Sequence, residues 1–192
     1  MADEVKLGNP APLGLIGFGL TTVILSLINA GMLPAAGIAV VLPLAFAFGG
    51  LTQMIAGVLE FRTGNTFGMV AFLSYGAFWW WFCFLVWLGG NHLLDLSQAG
   101  TTIGATLVGW GVFTLYMWIG TFRLTNALWW IFLTLWVTFF LLGFGDLFGA
   151  AGLKIAGGWL GLVCGLLAIY TSFATVTNAT FGQTVVPVGP RA

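Results

Sequence analysis

The sequence predicts an all-α integral membrane protein with six transmembrane helices per protomer. Three observations carry that prediction. Of the 192 residues, 60% are hydrophobic and only 5% are charged, whereas an ordinary soluble domain carries about a quarter charged residues. Mean hydropathy is +1.07, so lipid rather than water must cover most of the surface. Six apolar stretches each reach the roughly 20 residues that a helix needs to cross about 30 Å of hydrocarbon. The ten-residue polar–apolar alternation of a membrane β-barrel is absent.

The elements follow in chain order. Residues 1–12 hold Asp3, Glu4 and Lys6 with no apolar run, so they read as a cytoplasmic N-terminal segment and not as a cleavable signal peptide. At its end, Pro10 pre-sets the backbone for a helix start, and Asn9 can cap the first free N–H groups. Spans are expected at 13–30, 37–59, 67–89, 102–122, 126–145 and 152–176, within one domain covering 1–192. Pro34 separates the first two, and the run from Glu60 to Asn65 separates the second from the third. Gly89 to Gly100, with His92 and Asp95, divides the chain in half; His92 reads as a solvated loop histidine. Arg123 marks the fourth junction and Asp146 to Lys154 the fifth, and 177–192 is left as a cytoplasmic C-terminal tail. Six spans place Lys6, Arg62, Arg123 and Arg191 on one side and Lys154 on the other. By the positive-inside rule both termini are cytoplasmic and the protein is a multi-pass protein of the cell membrane.

Composition also excludes functions. Five basic and five acidic residues balance, which removes the basic patch that nucleic-acid binding requires. One histidine and two separated thiols do not make a metal site, and no catalytic constellation or cofactor motif occurs, so the chain reads as no enzyme. Cys83 and Cys164 lie in apolar runs and read as small buried hydrophobes, with a disulfide as the alternative. Gly157, Gly161 and Gly165 share one face of the last span, and Gly49, Gln53 and Gly57 share one face of the second. Such stripes let helices pack closely within lipid, inside the protomer or between protomers. The few charges, Glu60, Arg62, Arg123, Asp146 and Lys154, fall at span ends, where water or headgroups are in reach. What lies inside is neutral hydrogen-bonding capacity, and Gln53 stands out because its own helix cannot satisfy an amide. A path lined by hydroxyls, amides and rings suits a small solute with one polar end and a methyl end.

Specific strings extend this reading. Asn9-Pro10-Ala11-Pro12-Leu13-Gly14-Leu15, followed by Gly17-Phe18-Gly19, resembles the signature of the acetate uptake transporter family. The similarity continues through Gln53, Glu60, Gly64-Asn65-Thr66-Phe67-Gly68, Ser74-Tyr75-Gly76, Trp110 to Thr114 and Cys164-Gly165. The resemblance implies six spans, a homohexamer, and one pathway per protomer for acetate and similar small monocarboxylates, with succinate in some members. It implies transport that is channel-like or linked to protons. It implies a hydrophobic constriction at Phe18, Tyr75 and Leu135, with Asn9, Pro10, Gln53, Asn65, Thr66, Ser74 and Thr114 along the pathway or in the signature. Phe18 lies between two glycines that give its ring room. The competing reading is a membrane sensor or assembly protein that carries nothing.

Overall fold

A computed structural model describes residues 7–191, so Lys6 and the other charges before Leu7 lie outside the described residues. Six helices are long and apolar enough to cross a membrane, as the composition requires. The first is α1 (Ala11–Asn29), which begins two residues before the expected start. The second span, Ala35–Arg62, is segmented. A 3₁₀ turn (Ala35–Gly37) leads into α2 (Ile38–Leu44), a π-helical segment (Ala45–Thr52) and α3 (Gln53–Arg62). Then come α4 (Thr66–Gly90), α5 (Gly100–Gly120), α6 (Asn126–Leu147) and α7 (Ala151–Phe181).

The break in the second span has a local cause. Pro43 lies inside α2, where it has no N–H to give the preceding turn, and the chain widens to π-helix just after it. The backbone carbonyls along this stretch find side-chain donors instead. The Trp80 indole N–H donates to Phe46 O at 2.9 Å, Thr52 Oγ1 donates to Ala47 O at 3.0 Å, and Cys83 Sγ donates to Leu42 O at 3.3 Å. The sequence reading of one uninterrupted helix over 37–59 missed this.

Packing follows the small residues. A Cβ added at Gly19 would sit 2.9 Å from Gly165 O, and one added at Gly165 would sit 2.9 Å from Gly19 O. The α1 and α7 backbones therefore touch at this crossing, in the small-residue mode of membrane helices. Gly161 of the same stripe faces Ser26 of α1, so the stripe serves packing within the protomer. The glycines flanking Phe18 do something other than make room for its ring: Gly17 admits the backbone carbonyl of Phe48, and Gly19 admits α7. Both cysteines are free and buried.

The chain after α7 is no loose tail. Helix α7 runs on past residue 177 to Phe181, and Gly182 then turns the backbone with φ +66°. Asn178 Nδ2 donates to Val186 O, while its Oδ1 accepts from the N–H groups of Val185 and Val186. The returning segment supplies carbonyls to the free first N–H groups of α6: Asn126 N donates to Gly189 O at 2.6 Å and Ala127 N to Val188 O at 3.1 Å. Arg191 lies over the Trp129 ring, 4.9 Å from its centroid, and donates through Nε to Asn126 Oδ1. At the far end Lys154 pairs with Asp146 at 2.7 Å. The loop histidine, His92, is exposed and takes a left-handed φ of 59°.

Candidate functional site

Five spans converge on one cavity of about 290 Å³. Each contributes a stripe at helical spacing: Ala11, Leu15 and Phe18 from α1; Glu60 and Gln53 from α3; Gly68, Ala71, Phe72 and Tyr75 from α4. The others are Leu128, Ile131, Phe132 and Leu135 from α6, and Thr175 and Thr171 from α7. Residues seven apart lie two turns along a helix, roughly 10 Å. The cavity thus has a depth of two turns and two distinct levels.

The mouth level lies at the end of the molecule that holds the described termini. Asn9, Glu60, Asn65, Thr125 and Val188 gather there, and most have local work that fixes them. Asn9 Oδ1 accepts from Ala11 N at 3.0 Å, the helix cap read from the sequence. Asn65 Oδ1 caps α4 by accepting from Gly68 N at 3.1 Å, while its Nδ2 donates to Glu60 Oε2 at 2.8 Å. Thr125 Oγ1 accepts from Leu128 N. Glu60 corrects the sequence reading. It was expected at a span end in reach of water or headgroups, yet it is 1% exposed and walls the cavity. Its position at a helix end says nothing of burial here, because the turn to α4 folds Thr63 and Asn65 over it and supplies its hydrogen bonds.

The deep level brings together Phe18, Gln53, Tyr75 and Leu135, each two turns in from the mouth. All four are buried and all four line the cavity. The Phe18 and Tyr75 ring centroids stand 5.9 Å apart, with Phe132 6.1 Å from Tyr75. Tyr75 presents its ring and not its hydroxyl, because the O–H donates to Thr114 Oγ1 at 3.0 Å. Thr114 is itself fully buried and donates to Trp110 O. Gln53 Oε1 has no protein partner, so an amide stands beside an apolar ring.

The remaining residues singled out in the sequence fall elsewhere. Pro10 starts α1 without lining the cavity, and Thr66 is exposed at the first turn of α4. Ser74 faces a separate shallow depression with Thr106, Gly109, Trp110 and Phe113. Leu15, Phe72, Ile131 and Phe132 were not singled out, although spacings of three and four back from Phe18, Tyr75 and Leu135 point to them. Among the described residues, no cluster of His, Cys, Asp and Glu could hold a metal ion.

Fold and site together define a multi-pass helical membrane protein with a largely apolar cavity inside one protomer. The chain belongs to the GPR1/FUN34/yaaH family, whose model matches residues 1–190. It is 44% identical over 186 residues to the succinate-acetate/proton symporter SatP of Escherichia coli (strain K12), across 97% of each chain. It is 38% identical to acetate permease A of Emericella nidulans, across 95% of this chain and 66% of that one. Its fold matches the solved structure of the bacterial acetate channel SatP with a TM-score of 0.91 and 43% identity, covering 96% of this chain and 100% of that one.

Proposed function

We propose that this protein conducts acetate and similar small monocarboxylates, with succinate as a further candidate, across the cell membrane. The path runs through the cavity, as a channel or a proton-linked symporter. The observation that carries the reading is the deep level of the cavity. Phe18, the Tyr75 ring and Leu135 offer a methyl group apolar contact, and the Gln53 amide beside them offers both donors and an acceptor to a carboxyl group. No Lys or Arg lines the cavity among the described residues, so a dicarboxylate such as succinate has to shed charge by taking up protons before it enters. The kinship to proteins named as an acetate channel, an acetate permease and a succinate-acetate/proton symporter supports the same substrate class.

Three companion statements belong to this reading. Asn9, Gln53 and Asn65 lie along the route, with Phe18, Tyr75 and Leu135 as its constriction. Both termini face the cytoplasm, so the mouth opens inward. Exposed apolar side chains such as Val40, Phe61, Trp87 and Ile119 face lipid or sister subunits of a homohexamer, which native mass spectrometry tests against six times 20.4 kDa. The function itself is tested by radiolabelled acetate uptake into proteoliposomes. Uptake above that of protein-free vesicles is expected. A rate no higher than theirs, in correctly assembled protein, returns the chain to the class of membrane sensors or assembly proteins.

A further inference from the structure

The mouth carries a group that the transport reading alone does not use. Glu60 is 1% exposed, and its two carboxyl oxygens are treated differently. Oε2 accepts from Asn65 Nδ2 at 2.8 Å and from Thr63 Oγ1 at 3.3 Å. Oε1 is equally buried and has no partner, and Glu60 is a wall of the cavity. One oxygen of the carboxyl is thus fixed by the protein, and the other keeps a hydrogen-bonding capacity that no protein group fills. Helix α3 packs against α1, α4 and the π-helical segment. Neither α1 nor the π segment carries a titratable side chain. Helix α4 brings Tyr75, bonded to Thr114, and Cys83, bonded to Leu42 O. Arg62 on α3 itself is exposed, and neither it nor Arg123, at the same end, lines the cavity. The α6 and α7 stripes across the cavity are neutral.

A carboxylate that reaches this mouth meets a second carboxyl group, and when both are ionised each can only accept. Two such groups side by side in a place of low polarity do not both stay ionised; they hold one proton between them. We infer that Glu60 is the proton-sharing residue of the pathway: its Oε1 and the substrate carboxyl bind one proton jointly, so that substrate enters with a proton. The balance is the same by either route. An ionised Glu60 accepts the O–H of a protonated acid, or a protonated Glu60 donates to the anion. The complex in both cases holds one proton and one negative charge. Release of the neutral acid toward the Phe18–Leu135 level leaves Glu60 ionised, to be reprotonated from the mouth side. Gln53, two turns further in on the same face of α3, is the next polar group the acid meets. The inference rests on the monocarboxylate reading above and assigns its coupling to one atom.

The test uses the assembled full-length protein in liposomes, with acetate uptake measured between pH 5.5 and 7.5 and the protein-free rate subtracted at each pH. The wild type should show uptake that rises several-fold as pH falls and is insensitive to an imposed membrane potential. Glu60→Gln keeps the shape and the acceptor for Asn65, so it should lose the rise and become sensitive to potential. Glu60→Asp retains a titratable carboxyl and should recover a pH-dependent profile. Infrared difference spectra with ¹³C-acetate give a readout that needs no flux. The wild type should show a protein carboxyl band that changes on acetate addition, absent in Glu60→Gln. An assembled Glu60→Gln variant with the wild-type pH profile overturns the role of Glu60 while leaving acetate transport standing. If the variant fails to assemble, a wild-type spectrum with no acetate-sensitive carboxyl band overturns the role in the same way. Absence of wild-type uptake overturns the transport reading itself.

Discussion

The two levels of the cavity solve opposite problems. At the mouth, Asn9, Asn65 and Thr125 are committed to helix ends, and the polar surface they leave is fixed in place by those caps. At the deep level the side chains are held by packing: Phe18 packs on Tyr75, one residue before the Gly19–Gly165 crossing of α1 and α7, and Tyr75 is enclosed by Phe18, Trp110, Phe113 and Phe132. Polar groups are therefore positioned where backbone N–H groups need partners anyway, and apolar groups where helices already touch. On the proposed route a solute would exchange its water first for fixed dipoles and then for rings.

Breaking the deep level should have the larger effect. Gly19→Val places atoms against the Gly165 carbonyl, 2.9 Å from the new Cβ, and the two helices must separate. Overpacking of this kind costs about 3 kcal/mol or more, so loss of a monodisperse peak in fluorescence-detected size exclusion is expected, along with loss of uptake. At the mouth, Asn65→Ala removes the α4 cap and the donor to Glu60 together. A buried carboxyl deprived of a donor costs about 1–3 kcal/mol, read as a lower midpoint in thermal unfolding of the detergent-solubilised protein. Asn178→Ala removes three hydrogen bonds that hold the segment beside Val188. Faster limited proteolysis after Gly182 is expected, with α7 itself intact. Tyr75→Phe should be the mildest. Its hydroxyl is spent on Thr114 and not on the cavity, so the loss is about 1 kcal/mol of stability with acetate affinity close to wild type. A large fall in affinity would place that hydroxyl on the solute.

Much of this was legible in the sequence, for reasons particular to its residues. Six spans follow from length and hydropathy, and Pro34, Arg123 and the Asp146–Lys154 turn put the boundaries within a few residues. Asn9 could be read as a cap because its position before Pro10 leaves it little else to do. Phe18, Tyr75 and Leu135 came from resemblance; all three line the cavity, each two turns along its own helix from another lining residue, Ala11, Gly68 and Leu128. What was not legible depended on the third dimension. The π segment comes from Pro43 acting together with donors from Trp80 and Cys83, far along the chain. Glu60 looked solvated because end position was taken for exposure, although Gln53 at a spacing of seven already pointed the same face inward. Ser74 and Thr66 sit beside cavity residues in sequence but on other faces of α4, which adjacency cannot reveal and helical phase can.

The central claim is that solutes pass the Phe18–Tyr75–Leu135 level and are sorted there by size. The most direct measurement is the ratio of lactate to acetate uptake by purified Phe18→Ala and Leu135→Ala variants in liposomes. Only preparations that match the wild type in size exclusion are compared, since truncating buried side chains costs about 2–5 kcal/mol. Removing several methylene equivalents from a tight apolar site changes discrimination by roughly tenfold or more. The lactate-to-acetate ratio should therefore rise by about that factor in each variant while acetate uptake persists. Assembled variants that keep the wild-type ratio would contradict the account: these side chains would then only pack the core, and the selecting point would lie elsewhere along the chain.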